Sequence, residues 1–297
     1  MQNNLELGSR YLDSSRASVR LRRFLRRLFR NRSAVFGAIV VALILFCAIF
    51  APFVAPYSPT AIHSADSLMP PSWKHLLGTD DIGRDLLSRI IFGARVSIMV
   101  GVVSIGLATL LGIPLGVISG FYGGATDSII MRLMDVLLAF PALVLALFIM
   151  AVLGPSAFNA MIAIGVVYTP NFARLIRANV LSIREMTYVE AARAIGFSRL
   201  HIMFREILPN CIAPVIVQAS LGVAYAILVE AALGFLGLGV QPPTPSWGSM
   251  LSEGRILLKR APWYATFPGL AIFFSVLALN LLGDGLREAL DPRLRVS

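Results

Sequence analysis

Apolar runs long enough to cross a bilayer recur along the chain, separated by short polar segments rich in arginine. A membrane helix needs about 20 mostly apolar residues, and six stretches qualify: Ala34 to Ala55, Val96 to about Gly120, about Ser128 to Leu153, Ala157 to Ala173, about Ile212 to Leu236, and about Trp263 to Leu282. The first is closed by Pro52 and Pro56, at a helix end where proline is tolerated. Gly154-Pro155-Ser156 is a tight break that makes the third and fourth stretches a hairpin. The fifth is interrupted only by Glu230, and each of the last five contains or adjoins a proline: Pro114, Pro141, Pro170, Pro214 and Pro268. The pattern predicts an all-α integral membrane protein of six transmembrane helices.

Composition narrows the partners. The 297 residues are 57% hydrophobic and 14% charged, with a mean hydropathy of +0.77. Soluble domains carry roughly 25% charged residues, so a soluble globular fold is excluded. A net charge of +10 and a pI near 10.4 would also fit nucleic-acid binding. The basic residues argue otherwise, because one group lies between Arg10 and Arg32 and most others flank apolar runs. They mark the lipid bilayer as the partner, and no nucleic acid is expected.

Lysine and arginine stay on the cytoplasmic side of a membrane. With the N-terminus inside, that side receives the tail arginines, Arg132, the arginines from Arg174 to Arg205, and Arg287, Arg293 and Arg295. Only Lys74, Arg84, Arg89, Arg95, Arg255, Lys259 and Arg260 fall outside. Both termini are therefore expected in the cytoplasm. From Arg16 to Arg32, Val19, Leu21, Phe24, Leu25, Leu28 and Phe29 recur at helical spacing among arginines, the pattern of a helix lying in the headgroup plane. A long Arg-rich stretch precedes the first apolar run, which reads as a retained anchor and not a signal peptide. Cys47 and Cys211 have no metal-ligand or disulfide spacing, so neither a metal nor redox chemistry is expected.

No fixed-period repeat or Gly/Ser linker sets off a soluble domain. The expected organisation is a cytoplasmic Arg-rich amphipathic segment at 1–33, a first transmembrane helix at 34–56 and an outer loop with an amphipathic helix at 57–95. A core of five transmembrane helices follows at 96–286, with a cytoplasmic loop at 179–210, and a cytoplasmic tail occupies 287–297.

The loop at 179–210 is too polar to enter lipid and too patterned to be slack. Thr187-Tyr188-Val189-Glu190-Ala191-Ala192-Arg193-Ala194-Ile195-Gly196 reads as a short helix. Thr187 is its candidate N-cap with Glu190 at the capping-box distance, and Gly196 can end it in the left-handed conformation. A second helical stretch, Ser198 to Leu208, is expected to halt at Pro209. The small pair Ala191-Ala192 lets another backbone come close, so the helix can fit a groove on a partner. From spacing alone it can equally be a linker packed on its own chain.

Glu190-Ala191-Ala192, then Gly196, then Leu208-Pro209 resembles the EAA loop of ABC importer permeases, which forms the helix coupling the permease to its ATPase. Glu206 departs from that pattern, standing where the motif has Ile. The run from His75 to Arg89, Gly93-Ala94-Arg95-Val96-Ser97, the runs Ala232 to Gly239 and Gln241 to Gly248, and the ending Asn280 to Arg287 with Leu290-Asp291-Pro292 are similar to the dipeptide, oligopeptide and nickel group of these permeases, in its second or "C" subunit.

The resemblance covers about Asn31 to the end. It implies a type I ABC importer permease architecture in the bacterial cytoplasmic (inner) membrane. The implied partners are a second homologous permease subunit, two ABC ATPase subunits and a periplasmic or lipid-anchored substrate-binding protein. ATP and Mg would belong to the ATPases, with no cofactor on this chain. Di- and oligopeptides are the implied cargo, with nickel, glutathione or another small solute as alternatives. Tyr188, Glu190, Ala191, Ala192, Arg193 and Gly196 are the implied coupling helix, and Asp80, Asp81 and Arg84 in the outer loop are candidates for docking the binding protein.

The residues also support local readings. Thr79 can cap a helix whose first turn holds Asp80 and Asp81, with Leu86, Leu87, Ile90 and Ile91 on its apolar side; a plain elbow into the second span is the alternative. Gly112, Gly116 and Gly120 put small residues on one face for close helix packing. Glu230 must face protein or water, since a charge facing lipid at the bilayer centre costs on the order of 3 kcal/mol. Gln218, Gly222 and Ala226 share a face that can line a path, with Glu230 as a further candidate for it, or they are packing groups. Arg132 and Asp135 can pair along their helix.

A P-loop needs Gly, four residues, then Gly-Lys-Ser/Thr, but the two lysines, Lys74 and Lys259, are followed by His75 and Arg260. The chain is not expected to hydrolyse ATP. No nucleophile and base share the apolar runs, and His63, His75 and His201 lie in loops, so no catalytic residue is assigned. A self-sufficient secondary transporter would need intramembrane charges for coupling, for which Glu230 stands alone.

Overall fold

Short polar side chains start several of the helices by accepting an N–H that a first turn leaves unpaired. In the computed structural model, which describes residues 29–290, Asn31 does this for α1 (Arg32–Ile49), which a further turn, Ala51–Val54, follows. Asp85 accepts from Ser88 N at 2.8 Å to start α2 (Leu86–Tyr122). Next come α3 (Gly124–Leu138), α4 (Ala142–Leu153) and α5 (Ala157–Ile183), the last capped by Ser156. The short α6 (Thr187–Ala194) precedes a helical turn, Arg199–His201, and a π-helical turn, Ile202–Ile207, which run into α7 (Leu208–Phe235). Finally α8 (Trp247–Gly254) opens with a reciprocal capping box between Ser246 and Ser249, and α9 (Pro262–Leu290) completes the described chain. No strand is formed among the described residues. The expected amphipathic stretch from Arg16 lies outside them apart from its last few residues, as does the tail beyond Leu290.

Glycines set the closest helix contacts. Along α2, a methyl added to Gly112 would meet Phe172 Cβ at 2.5 Å, one on Gly116 would meet Ala173 O at 2.5 Å, and one on Gly120 would meet Val180 Cβ at 2.8 Å. The face expected from their spacing is therefore the seam on which α5 packs, and the rising order of the partners makes the two helices parallel. In contrast, α7 runs antiparallel to α2: Ser97 bonds Glu230, Gly101 lies on Val223 and Ile227, and Gly222 lies on Ile105. α9 runs antiparallel to α1, with Gly37 against Ala278 and Asn31 donating to Glu288 at 2.8 Å. The start of α1 and the ends of α2, α5 and α9 thus gather where α6 lies.

Four helical units among the described residues are long and apolar enough to cross a membrane: α1, α2, the unit Arg199–Phe235, and α9. A fifth is reached if α3 and α4 count as one span broken by an 89° bend. The third expected stretch is thus two helices joined at that bend. Pro141 supplies no N–H and forces the chain out of the helix, while the acids of α3 turn to α5: Asp127 takes a bidentate pair from Arg177 at 2.5 and 2.6 Å, and Asp135 pairs with Arg174 at 2.5 Å. The local Arg132–Asp135 pair is thereby corrected as well. α5 spans 27 residues, but Asn159, Asn171, Arg174, Arg177 and Asn179 make it polar for a lipid-facing helix.

Three expected helix boundaries also move. Thr79 does not cap a helix: its hydroxyl donates to Asp66 O, and the Asp80 carboxylate takes the N–H groups of Ile82 and Arg84, so the chain turns until Asp85 can cap. Met186, with extended backbone, stands at the N-cap of α6, and Thr187 is already helical. The helical path does not halt at Pro209: the π-helical turn Ile202–Ile207 leads straight into α7, and Pro209, with no N–H to place, stands at its second position.

Substituting Gly116→Leu is expected to force α2 off α5 and destabilise the chain by about 2 kcal/mol or more. Thermal unfolding of the detergent-solubilised protein measures it, and Gly106→Leu, at a position with no neighbour within 4 Å, is expected to leave the transition in place.

Candidate functional site

The end of the bundle that carries α6 is assembled from segments distant in sequence. α6 buries Val189 and Ala192, three residues apart, in the same apolar cluster as Ile183, Ile202, Met203 and Ile207. Glu190, Ala191, Arg193 and Ala194 face outward. The pair Ala191-Ala192 is thus divided: Ala192 packs on its own chain while Ala191 lies on the free side with Glu190. The linker reading and the partner-helix reading each describe one face of the same helix.

Gly196 ends α6 at φ +90°, a conformation that costs other residues roughly 1–2 kcal/mol. Its N–H donates to Arg193 O at 3.0 Å, and Phe197 N–H reaches back to Ala192 O at 3.1 Å, the paired bonds of a Schellman motif. Tyr188 fastens the start of the helix to α7. Its hydroxyl accepts from Asn210 Nδ2 at 3.1 Å, lies 3.4 Å from Glu206 O as a donor, and Asn210 also donates to Glu206 O at 2.7 Å. No short-range spacing announces this knot, since Tyr188 and Asn210 belong to different elements.

A cavity of about 690 Å³ opens beside that knot between α5, α7 and the end of α9. Tyr188, Asn210, Asn179, Gln218 and Arg287 supply its polar groups and Pro214 and Leu221 part of its apolar wall. Gln218 donates to Tyr168 Oη at 3.2 Å. The other residues expected on the same face lie deeper: Gly222 packs against Ile105 and Tyr168, and Ala226 and Glu230 are fully buried within the chain. Glu230 accepts from Ser97 Oγ at 3.3 Å. Of the four, the structure brings only Gln218 to the cavity.

At the opposite end the outer loop is tied down by charge. Asp80 is fully buried, accepts two backbone N–H groups, and takes Arg84 Nε at 2.5 Å, with Arg89 Nε at 3.7 Å. Arg84 and Arg89 both reach Glu253 of α8, at 3.5 and 3.4 Å, and Tyr264 of α9 donates to the same carboxylate. Trp247 Nε1 donates to Ile90 O and Trp263 Nε1 to Thr79 O. Lys74, hydrogen-bonded to Asp66, holds that carboxyl below the usual carboxylate range. Of the three residues expected to dock a partner, Asp80 is buried and organises the loop, Asp81 is exposed and Arg84 only partly so. His, Cys, Asp and Glu side chains form no group that could hold a metal among the described residues.

With this geometry in place, residues 112–296 match the family described as binding-protein-dependent transport system inner membrane component, and residues 20–71 match the N-terminal TM domain of oligopeptide transport permease C. The di/tripeptide transport system permease protein DppC of Pseudomonas aeruginosa is 50% identical over 281 residues, covering 93% of each chain. The dipeptide transport system permease protein DppC of Escherichia coli K12 is 50% identical over 272 residues, 90% of this chain and 91% of the relative. A chain from inward-facing structures of the MetNI methionine ABC transporter matches with a TM-score of 0.57 at 17% identity, over 68% of this chain and 96% of that one.

The buried outer cluster separates two neighbouring acids. Asp80→Ala strands Arg84 and frees two N–H groups, and is expected to lower stability by about 3 kcal/mol, whereas exposed Asp81→Ala is expected to stay within about 0.5 kcal/mol. Equal unfolding temperatures for the two variants in detergent would contradict the assignment.

Proposed function

This chain belongs to the family of binding-protein-dependent transport system inner membrane components, and we propose that it is the "C"-type permease subunit of an ATP-driven importer that moves dipeptides and short oligopeptides across the bacterial inner membrane. The observation that carries the reading is the 50% identity, over nine-tenths of the chain, to permeases named for dipeptide and di/tripeptide transport. The chain is a multi-pass inner-membrane protein. Six spans are α1, α2, the bent α3 and α4 together, α5, α7 and α9, with the end that holds α6 in the cytoplasm. The parallel run of α2 and α5 supports this count, because residues 124–153 must then return across the bundle between them.

The outward face of α6, with Glu190 and Ala191, is the surface that meets an ATPase subunit. The chain has no P-loop of its own, so two partner ATPases bind ATP and Mg, and a second permease completes the pathway. A substrate-binding protein delivers peptide to the outer face, where Asp81 is exposed and Arg84 partly so. Tyr188, Asn210 and the Glu206 carbonyl give α6 a direct mechanical link to α7. A displacement of α6 by the ATPase therefore moves the helix that carries Gln218 along the cavity wall. The chain transmits motion and supplies part of the path; the energy comes from its partners.

In proteoliposomes containing the assembled complex, Glu190→Lys reverses a charge on the contact face, and Gly196→Val strains the turn that ends α6. Both are expected to cut peptide uptake at least tenfold while membrane insertion and complex size stay unchanged. Full uptake in both variants would remove α6 from the coupling role. Uptake by this chain alone, without ATPase subunits, would instead favour a self-sufficient transporter.

A further inference from the structure

A second cavity, of about 540 Å³, lies on the other side of α6, between it, the end of α2 and the end of α5. Three guanidinium groups line it, those of Arg184, Arg193 and Arg199, and the one acid among its lining residues, Glu185, is already taken by Arg184 at 2.8 Å. Arg184 also donates to Gly120 O at 2.8 Å, closing the end of α2. Arg193 and Arg199 have no ion-pair partner among the described residues. Phe121, Tyr122 and Phe197 complete the wall, and aromatic rings are enriched where a membrane helix meets the headgroup layer.

Tyr122 of the cavity wall also ends a line of apolar side chains on α2. Leu111, Leu115, Ile118 and Tyr122 recur at helical spacing on α2, and Leu111, Ile118 and Tyr122 are exposed. A cluster of cations at one end of the bundle, beside an exposed apolar line along α2, matches an amphiphile with an anionic phosphate head. A soluble acidic partner would use the arginines but not the apolar line.

We propose that this cavity holds the phosphate headgroup of an anionic phospholipid of the inner leaflet, with an acyl chain along the Leu111–Tyr122 face of α2. The guanidinium groups bind phosphate oxygens through paired N–H donors, and basic pockets between helices on the cytoplasmic side are suited to such heads. Because Arg193 belongs to α6, the lipid ties α6 to the membrane surface. The inference rests on the cytoplasmic placement of α6 proposed above.

The test uses the complex of this chain with its permease and ATPase partners, delipidated in mild detergent and titrated with phosphatidylglycerol or phosphatidylethanolamine under native mass spectrometry. One phosphatidylglycerol is expected to be retained in preference to phosphatidylethanolamine. Arg193→Gln with Arg199→Gln is expected to weaken retention roughly tenfold or more, at about 1 kcal/mol per arginine. The corresponding double Lys variant should keep most of it, and Arg255→Gln at the opposite end should change nothing. Ile118→Gln should weaken phosphatidylglycerol while leaving binding of inorganic phosphate untouched.

Equal retention of the two lipids, or an unaffected Gln double variant, overturns the proposal. Displacement of lipid by millimolar phosphate with no effect of Ile118→Gln would make it a site for a soluble anion. Crosslinking of Arg199→Cys to an ATPase subunit, with no lipid held by the complex, would make it a protein contact. Sidedness is read separately, by labelling Arg199→Cys with an impermeant thiol reagent in a chain carrying Cys47→Ser and Cys211→Ser. Labelling from outside would refute the orientation, whereas lipid selectivity in detergent does not depend on it.

Discussion

The backbone-to-backbone approach of α2 and α5 is the constraint on which the arrangement depends. Inside lipid there is little hydrophobic gain from bringing helices together, so association rests on close packing and hydrogen bonds. Gly112, Gly116 and Gly120 leave no side chain between α2 and the Thr169–Val180 face of α5. Because this seam is parallel, the intervening chain has to traverse the bundle, and it does so as the bent pair α3 and α4. The acids on α3 then meet arginines on α5, whose charges would otherwise be exposed beside apolar helices. The same seam ends at Gly120, whose carbonyl Arg184 closes, and so sets the end of α5, from which the chain passes into α6, against the last turn of α2.

Much of this was legible in the chain and some was not, for reasons that differ by residue. Apolar run length located four helices long enough to span and a fifth as a bent pair, because the bilayer imposes it, and the glycine spacing marked the seam because only a missing side chain permits such contact. The left-handed end of α6 was readable from Gly196, since few other residues tolerate its φ. Helix starts were read less well. Thr79 and Thr187 have the right chemistry, but whether a hydroxyl caps a helix depends on rivals for its bonds, and Asp66 O and Asp80 are brought to the first by the loop's own folding. Arg132 and Asp135 stand at a favourable local spacing, yet Arg174, distant in sequence, is the nearer partner in space.

The candidate site divides along the same line. α6, with its outward Glu190 and Ala191, was visible as a pattern because it is local. The knot of Tyr188, Asn210 and the Glu206 carbonyl was not, nor was the sharing of Glu253 by Arg84, Arg89 and Tyr264. Burial decided the cases that spacing left open. Asp80 and Asp81 are adjacent acids in one loop, but one is enclosed by two N–H donors and a guanidinium and the other faces solvent. On α7, Gln218, Gly222, Ala226 and Glu230 share a face, yet that face meets α2 over most of its length and opens to a cavity only at Gln218.

The two ends of the bundle differ in what it costs to move them. Separating the outer loop from α8 and α9 would break the Asp80, Arg84, Arg89 and Glu253 cluster and two indole hydrogen bonds, stranding buried charges at several kcal/mol. At the other end α6 is held by the buried side chains of Val189 and Ala192 and by the hydroxyl of Tyr188, whose hydrogen bonds contribute about 1 kcal/mol each and can be replaced by water. Local opening follows the cheapest contacts. A force applied at α6 therefore finds the compliant end of the molecule, and Tyr188 passes it first to the start of α7, where Asn210 and then Gln218 border the cavity. In the coupling proposed above, the charge cluster, which joins the loop, α2, α8 and α9 but not α7, is the fixed point against which α7 is displaced.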